Sequence, residues 1–184
     1  MVYNGILQGK FSNLRSVTEN DASFILEMRN NPEISKRIPP LRISVEQQRT
    51  WITNQRADSD SYYFIIEDKK HCNIGTVSVY NIMDGHAEVG RFCSLGDAVK
   101  NSEAALLIND FNFYTLKLDY LDIWVYKDNK PVISLNKGFG CDWKGEETGK
   151  DGISYLYGIM TRQNYELKAK KIRDNLSKLR ANGN

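Results

Sequence analysis

The residue types best suited to chemistry are concentrated near the middle of the chain. Glu88 lies in a run that is typical of a β-strand, His86 precedes it, and a polar loop follows and leads to Ser102. Serine often begins a helix, and the backbone N–H groups of a helix start can bind a diphosphate. A carboxylate or an imidazole beside such a start can act as a general base. This stretch therefore predicts an anion-binding helix start with a general base close to it.

Glu88 is the first candidate for that base, acting directly or through water, and His86 is the second. The plainer interpretations are a solvated or paired strand carboxylate for Glu88 and an exposed turn residue for His86. Cys93 permits an acyl-cysteine intermediate, but a small apolar strand residue explains it more simply. Glu88 is therefore the predicted catalytic residue.

Composition excludes several classes of protein. The 184 residues suit one domain, and the net charge of +2 is too small to indicate a nucleic-acid-binding protein. The three cysteines are far apart without a CxxC pair, so they predict neither a disulfide framework nor a metal site. No apolar run reaches the length of a membrane span, and the N-terminus lacks the features of a signal peptide. We therefore expect a cytoplasmic protein without a metal and without membrane contact.

Charge is uneven along the chain. Residues 166–184 contain six basic and two acidic residues, a net charge of +4, which leaves −2 for residues 1–165. Ile172, Leu176 and Leu179 recur at helical spacing in the basic segment. We therefore predict a single domain over 1–165 and a basic helical tail over 166–184. No nucleic-acid partner is expected, because no aromatic residues lie between the charges of the tail.

The hydrophobic pattern predicts a mixed α/β fold. Strands are predicted at 11–17, 62–66, 74–82, 87–93, 121–125, 141–143 and 153–160, with helices at 18–30, 44–56, 102–115 and 129–139. Ser44, Ser102 and Asn129 are the expected N-caps of the last three helices. Short turns between the middle strands predict antiparallel pairing, and the strand–helix–strand unit at 87–125 predicts a right-handed parallel crossover. The sheet is thus expected to carry helices on both faces, with a ligand site where the crossover opens.

Several short motifs occur in a characteristic order. They are Leu14 to Asp21, Leu26 to Asn30 with Pro32, Ile74-Gly75, Glu88-Val89-Gly90, Ser102-Glu103-Ala104, and Asn129 leading to Gly140. In this order the chain resembles the GNAT family of acetyl-CoA-dependent N-acetyltransferases over about residues 11–160. More narrowly, it is similar to the branch with ribosomal-protein N-terminal acetyltransferases and bacterial amino-sugar acetyltransferases. The resemblance implies a GNAT-like fold, with a largely antiparallel sheet around a central splayed pair of parallel strands.

The resemblance also implies acetyl-CoA as co-substrate and direct transfer to an amine. A backbone N–H on the splayed strand would stabilise the oxyanion as the CoA thiolate leaves. Backbone groups would pair with the pantetheine arm at Phe92, Cys93 and Ser94. The pyrophosphate would be held by the amides of Val99, Lys100, Asn101 and Ser102, with added charge from Lys100. Asn129 would contact the arm from the opposite wall.

Two departures from the family pattern are visible. The phosphate loop at 96–101 is about two residues short and lacks the later glycines. Asn136 stands where many members carry a tyrosine that protonates the CoA thiolate. That proton would then come from water, from another tyrosine or directly from solvent.

The acceptor is expected to bind near the first two helices. Arg29 and Asn30 lie at a helix end, where Arg29 either grips a phosphate or pairs with Glu27 or Glu33. Tyr80 is a further substrate-binding candidate on the sheet. Other side chains that could line the cleft are Arg37, Arg42, Trp51 and Tyr155, although core packing explains Trp51 more simply.

The preferred acceptor is an amino sugar linked to a nucleotide, because residues 26–32 followed by 44–48 resemble that branch. A protein N-terminus is the alternative acceptor. A non-catalytic acyl-CoA-binding module is the alternative function, motivated by the altered loop and by Asn136. The expected partner is a small-molecule amine, and the protein is expected to be a monomer or a homodimer.

Overall fold

The computed structural model describes residues 1–36, 38–149 and 152–180. The sheet consists of β1 (Ile6–Gln8), β2 (Ser12–Ser16), β3 (Tyr62–Asp68), β4 (Asn73–Met83), β5 (His86–Ser94), β6 (Tyr120–Tyr126), β7 (Asp142–Thr148) and β8 (Ser154–Thr161). The helices are α1 (Ala22–Asn30), α2 (Pro32–Ser35), α3 (Val45–Ala57), α4 (Ala98–Asp110), α5 (Lys130–Gly138) and α6 (Arg162–Lys178). A 3₁₀ turn at Glu19–Asp21 precedes α1, and a π-helical turn at Phe111–Thr115 follows α4.

The eight strands form one sheet in the order β1-β2-β3-β4-β5-β6-β8-β7. The pair β5–β6 is parallel and the other pairs are antiparallel. The predicted mixed α/β sheet with a central parallel pair is therefore confirmed. β1 was not predicted from the sequence, and it extends the sheet beyond β2.

The parallel pair separates after four residues. Its register runs from His86 opposite Tyr120 to Val89 opposite Ile123. β5 then continues to Ser94 and β6 to Tyr126 without pairing to each other. Backbone groups that face this gap are left open to a ligand, as at the edge of a sheet.

Hydrophobic residues pack on both faces of the sheet. The larger cluster lies beneath α4 and α6 and includes Phe64, Phe111 and Tyr165. The smaller cluster lies beneath α1 and α3 and includes Ile25 and Ile52. Helices on both faces are thus confirmed, and they leave the β5–β6 gap between them.

The N-cap of α4 lies five residues earlier than predicted. It is Asp97, whose Oδ1 accepts the Lys100 N–H at 2.9 Å. Ser102 instead lies in the second turn, so its prediction as the cap was wrong. Both residue types favour N-caps, and the extended backbone of Asp97 places the helix start there.

The C-terminal helix is longer than the predicted tail. α6 begins at Arg162, with Thr161 as its cap, and so crosses the predicted boundary at 165/166. Tyr165, Ala169 and Leu176 are buried in the larger cluster. As its amphipathic pattern indicates, α6 therefore packs its apolar face against the body of the protein.

A buried carboxylate ties α4 to the lead-in of β2. Glu103 is 5% exposed and accepts N–H bonds from Lys10, Phe11 and Ser12 at 2.8, 2.6 and 2.7 Å. A Cβ atom at Gly9 would collide with this carboxylate, so the position requires glycine. Glu103 thus fixes the helix that leads away from the β5–β6 gap.

A second polar cluster joins β2, β3 and the start of α1. Arg15 donates to Asp21 at 2.7 and 2.8 Å, to Glu67 at 2.6 Å and to Asn73 at 3.0 Å. Asp21 also accepts the Thr18 N–H at 2.8 Å. Each buried charge therefore has an opposite charge in contact, which burial of charged groups requires.

Candidate active site

Two adjoining cavities occupy the gap between β5 and β6. The first, with a volume of about 320 Å³, we call the helix-side cavity; its walls include Phe92, Ser94, Asn101, Ser102, Asn129 and Val132. The second, of about 290 Å³, we call the strand-side cavity; its walls include Arg29, Tyr80, Gly90, Arg91, Trp124 and Tyr155. Phe92, Cys93 and Asn129 line both. One continuous cleft thus passes between the separated strands.

A β-bulge shapes β5 at this point. Cys93 lies opposite Thr76 and Gly90 lies opposite Ser78, so Arg91 and Phe92 together face one residue of β4. Arg91 has a φ of 51°, and its carbonyl accepts the Thr76 hydroxyl at 3.0 Å. Bulges bend and twist a strand, and this one lies where β5 leaves β6. The bulge therefore accompanies the opening of the cleft.

Two buried amide oxygens that belong to residues of the helix-side cavity have no hydrogen-bond partner within the described residues. They are Oδ1 of Asn129, a residue that is 6% exposed, and Oδ1 of Asn101. Asn129 is the N-cap residue of α5, as predicted, but its side chain makes no capping bond. Since buried polar groups are normally paired, these acceptors in the helix-side cavity fit a ligand that carries N–H or O–H donors. The amides of a pantetheine arm meet that requirement.

The structure brings together six of the eight predicted cofactor residues. Phe92, Cys93, Ser94, Asn101, Ser102 and Asn129 line the helix-side cavity. Val99 and Lys100 line a separate cavity on the other side of α4, together with Lys10, Lys69, Lys70 and Arg180. The early start of α4 turns these two side chains away from the cleft.

The predicted pyrophosphate amides have partners inside the chain. The Lys100 N–H binds the Asp97 carboxylate, and the Asn101 N–H donates to the Asp97 carbonyl at 3.0 Å. The bond from Lys100 lowers the pKa of Asp97, so its carboxylate stays charged at the helix start. Lys100 Nζ also lies 3.1 Å from this carboxylate. Pyrophosphate binding at these amides therefore stays a prediction, and it requires the Asp97 side chain to move.

Glu88 lies behind the strand-side cavity. It is opposite Tyr80 in the sheet, and its carboxylate accepts a hydrogen bond from Asn81 Nδ2 at 2.6 Å. Tyr80 itself lines the cavity. Burial, and then the charge of Glu88, raise the pKa of Tyr80, so its hydroxyl stays protonated. Glu88 itself is not among the described residues that line either cavity, whereas its neighbour Tyr80 lines the strand-side cavity.

The structure gives less support to His86 as the general base and to Cys93 as a nucleophile. His86 stacks on Tyr120 with ring centroids 4.9 Å apart, at the closed end of the β5–β6 pair. Burial raises the pKa of the Cys93 thiol to about 11, which disfavours the thiolate that an acyl-cysteine step needs.

The Asn136 amide, at the position where many family members carry the tyrosine that protonates the CoA thiolate, lines the strand-side cavity and donates to the Val132 carbonyl at 2.9 Å. Tyr126 lines that cavity as well and is an alternative proton source.

The predicted acceptor residues are only partly assembled. Arg29 lines the strand-side cavity, where its guanidinium donates to the Pro39 carbonyl at 2.8 Å and its buried Nε has no partner within the described residues. Asn30 is exposed and donates to the Leu41 carbonyl at 3.0 Å, which braces the following loop instead. Arg42 is exposed on that loop, and Arg37 lies outside the described residues.

Sequence reasoning named Tyr155 as a cleft candidate but missed the aromatic wall beside the strand-side cavity to which it belongs. Trp124 and Tyr157 lie 4.4 Å apart, and Tyr126 and Tyr155 lie 4.8 Å apart, on neighbouring strands β6 and β8. The Tyr157 hydroxyl donates to Asp122 at 2.7 Å. Alternate residues of the two strands carry these rings, but their register could only be read from the sheet.

Comparisons with known proteins agree with this architecture. Residues 13–142 match the family described as Acetyltransferase (GNAT) domain, and the chain belongs to that family. It is therefore an acetyltransferase by family, and members of the family use acetyl-CoA. The predicted resemblance and enzyme class are confirmed.

Individual relatives are similar over most of the chain. Acetyltransferase PseH of Campylobacter jejuni is 27% identical over 131 residues, which cover 68% of this chain and 80% of PseH. Apo FdhC, a nucleotide-linked sugar GNAT, is 27% identical with a TM-score of 0.77, over 95% of this chain and 98% of FdhC. Mycobacterium smegmatis RimJ, solved with CoA-disulfide, shares the fold at 16% identity and a TM-score of 0.75, over 90% of this chain and 89% of RimJ.

In the parts of the chain that the structure describes, no helix combines the length and the apolar character that crossing a bilayer requires. Within the same residues, no three His, Cys, Asp or Glu side chains are grouped as a metal site would need.

Proposed function

We propose that this protein is an acetyl-CoA-dependent N-acetyltransferase whose acceptor is an amino sugar linked to a nucleotide. The observation that carries the proposal is the opened β5–β6 pair, which has the unpartnered Asn129 oxygen at one end and Tyr80 at the other. Acetyl-CoA, when bound, supplies a thioester whose carbonyl carbon an amine can attack. The cleft would hold its pantetheine arm along Phe92, Cys93 and Ser94.

The residues around Tyr80 would deprotonate the amine. An amine is largely protonated at neutral pH, and a general base lowers the barrier by accepting its proton. Tyr80 lines the cavity and lies opposite Glu88 in the sheet, so its hydroxyl would accept a proton from the amine as it passes its own proton to that carboxylate. Gly90 permits this arrangement, because a Cβ there would lie 2.7 Å from the Tyr80 hydroxyl oxygen.

The aromatic wall supports a sugar acceptor. Sugars stack their apolar faces on aromatic rings, and Trp124 is 37% exposed at the edge of the strand-side cavity. Arg29 and Arg91 line the same cavity and offer positive charge to a diphosphate. FdhC, a nucleotide-linked sugar GNAT, is 27% identical to this chain and adds support from a relative.

The test is a thiol-release assay with acetyl-CoA and four groups of amines. These are nucleotide-linked amino sugars, the same amino sugars without the nucleotide, peptides with free N-termini, and polyamines. We expect turnover of at least one nucleotide-linked amino sugar, with a kcat/KM well above that of its free sugar. Turnover of peptides alone would establish the alternative acceptor. Binding of acetyl-CoA without turnover of any amine would establish the non-catalytic alternative.

A further inference from the structure

We infer that the nucleoside of the acceptor binds in a third cavity, on the far side of Tyr80 and Arg91 from the acetyl-transfer cleft. This inference rests on the proposed function. The cavity has a volume of about 260 Å³ and lies at the C-terminal end of α3. Its walls include Trp51, Gln55, Asp58, Asp60, Asn81 and Arg91, and we call it the nucleoside cavity.

The cavity adjoins the cleft through two shared side chains. Tyr80 and Arg91 line both the strand-side cavity and the nucleoside cavity. The guanidinium of Arg91 lies 4.2 Å from the ring centre of Tyr80 and 5.4 Å from that of Trp51. A ligand longer than a sugar can therefore pass from the cleft to Trp51 along this arginine. The link between a sugar and its nucleoside, a diphosphate, would lie against the positive charge.

Gln55 provides an unused recognition group in this cavity. It is only 5% exposed, and its Nε2 donates to the Ser61 hydroxyl at 3.0 Å and to the Ser61 carbonyl at 3.3 Å. Its Oε1 is buried and has no donor within the described residues. A buried acceptor without a donor carries a free-energy cost that a ligand can remove. The ring N–H or amino group of a nucleobase is such a donor.

Trp51 provides a stacking surface beside that acceptor. It is 37% exposed, and the ring of Tyr63 supports it from below at 5.5 Å and 89°. A supported and partly exposed indole can bind bases of any identity by stacking. Stacking at Trp51 and a hydrogen bond at Gln55 together distinguish a base from other planar groups.

Charge gives the bound nucleotide its direction. Asp58 and Asp60 line the nucleoside cavity on the side of α3, and Arg91 lines the side of the cleft. Carboxylates accept hydrogen bonds from ribose hydroxyls and repel phosphates, as in dinucleotide-binding sites. The ribose would therefore face the aspartates, the diphosphate would face Arg91, and the amino sugar would enter the cleft.

Calorimetric titration with UDP, dTDP, ADP and GDP tests the site without turnover. We expect at least one of them to bind, and Trp51→Ala to weaken that binding by about tenfold or more. Trp124→Ala is the matched control, because Trp124 has the same 37% exposure but lines the strand-side cavity. It should change the affinity less than twofold. Both variants should keep the wild-type affinity for acetyl-CoA, which shows that they fold.

Two further variants sharpen the assignment. Arg91→Ala should weaken binding of the diphosphate much more than binding of the nucleoside alone, and Arg91→Lys should restore part of the loss. Gln55→Leu should change the preference among the four bases. The bound diphosphate should also compete with the nucleotide-linked acceptor in the thiol-release assay.

Failure of this inference is distinct from failure of the proposed function. If amines are acetylated but none of the four diphosphates binds, the nucleoside cavity is overturned and the acetyltransferase stands. Equal losses in Trp51→Ala and Trp124→Ala would likewise overturn it, since they would place the nucleoside on the aromatic wall. If acetyl-CoA supports no turnover with any amine, the proposed function is what fails.

Discussion

Two regions of the molecule differ in whether their buried polar groups have hydrogen-bond partners. Around β2, the Glu103 carboxylate of α4 accepts three backbone N–H bonds, and Arg15 has charged partners in Asp21 and Glu67. Across α4, in the β5–β6 cleft, the side-chain oxygens of Asn101 and Asn129 have no partner among the described residues. The first region uses its polar groups to hold backbone segments in place. The second region leaves the amide oxygens of Asn101 and Asn129 free to accept hydrogen bonds from a ligand.

This difference separates residues that stabilise the fold from residues that bind. A buried group that is fully paired contributes to stability, and truncation leaves its partners unsatisfied. A buried group without a partner destabilises the ligand-free protein, and a ligand that supplies the missing hydrogen bond removes this cost. Substitutions in the first region should therefore change unfolding, and substitutions in the second should change binding or turnover.

Glu103→Ala should have the largest effect. It leaves the N–H groups of Lys10, Phe11 and Ser12 without their acceptor, so the free energy of unfolding should fall by roughly 3–5 kcal/mol. Urea denaturation measures the change. Glu166→Ala, at an exposed position of α6, is the control and should stay within about 0.5 kcal/mol of wild type. A similarly small effect at Glu103 would contradict its role as an anchor.

Asp21→Asn should lower the free energy of unfolding by about 3 kcal/mol at pH 7, because Arg15 loses a buried partner. Burial alone raises the pKa of Asp21, but the bonds from Arg15 and Thr18 outweigh burial and leave the pKa below its usual value. Its stabilising effect is therefore present above the unfolded-state pKa, about 3.9, and is lost as pH falls through the lower folded-state pKa.

Unfolding curves between pH 7 and pH 2 check this sign. The acid-induced loss of stability should be smaller in Asp21→Asn than in wild type. Asp174→Asn, exposed on α6, should keep the wild-type dependence. If stability falls at acid pH as much in Asp21→Asn as in wild type, other carboxylates cause the acid-induced loss of stability.

Glu88→Gln should lower kcat/KM at least about 100-fold, equivalent to about 2.7 kcal/mol, with little change in stability. Tyr80→Phe should have a similar effect. Because both residues act on one proton path, the double variant should lose little more than the worse single variant. A larger loss in Asp122→Asn would instead assign the base to the carboxylate bound by Tyr157.

Asn129→Ala should have the smallest effect and the most selective one. It removes an oxygen that has no partner in the described residues, so the free energy of unfolding should change by less than about 1 kcal/mol. The affinity for acetyl-CoA, measured by calorimetry, should fall about tenfold, equivalent to about 1.4 kcal/mol. Asn175→Ala, on the exposed face of α6, should change neither quantity. A large loss of stability with unchanged affinity would place Asn129 in the first region.

The cleft was predictable because its elements are local. Alternating residues defined β5, a strand–helix–strand unit defined the parallel pair, and the motifs around Glu88 and Asn129 indicated the family. The start of α4 was not predicted correctly, since Asp97 and Ser102 are both good caps and only the backbone path selects between them. The wrong start reversed the sides on which Val99 and Lys100 were expected to lie.

Other features depend on contacts between distant parts of the chain. Glu103 meets Lys10 across a separation of 93 residues, and Arg173 of α6 pairs with Asp110. The nucleoside cavity likewise combines Trp51 and Gln55 of α3 with Tyr80 and Arg91 of two strands. From the sequence, Trp51 was interpreted most simply as a core residue, because periodicity reports the face of a helix but not what packs against it.

The order of short motifs in the sequence indicated the family by resemblance. Hydrophobic periodicity predicted the mixed sheet and its parallel strand pair, because such patterns act over a few neighbouring positions. Tertiary structure alone decided which polar groups are paired and which remain available. That choice depends on the strand register, on the bulge at Arg91 and on the packing of helices from distant parts of the chain. In the sequence, Glu103 and Asn129 are both simply polar residues. The fold places N–H donors beside Glu103 and a cavity beside Asn129, and this difference separates an anchoring residue from a ligand-binding one.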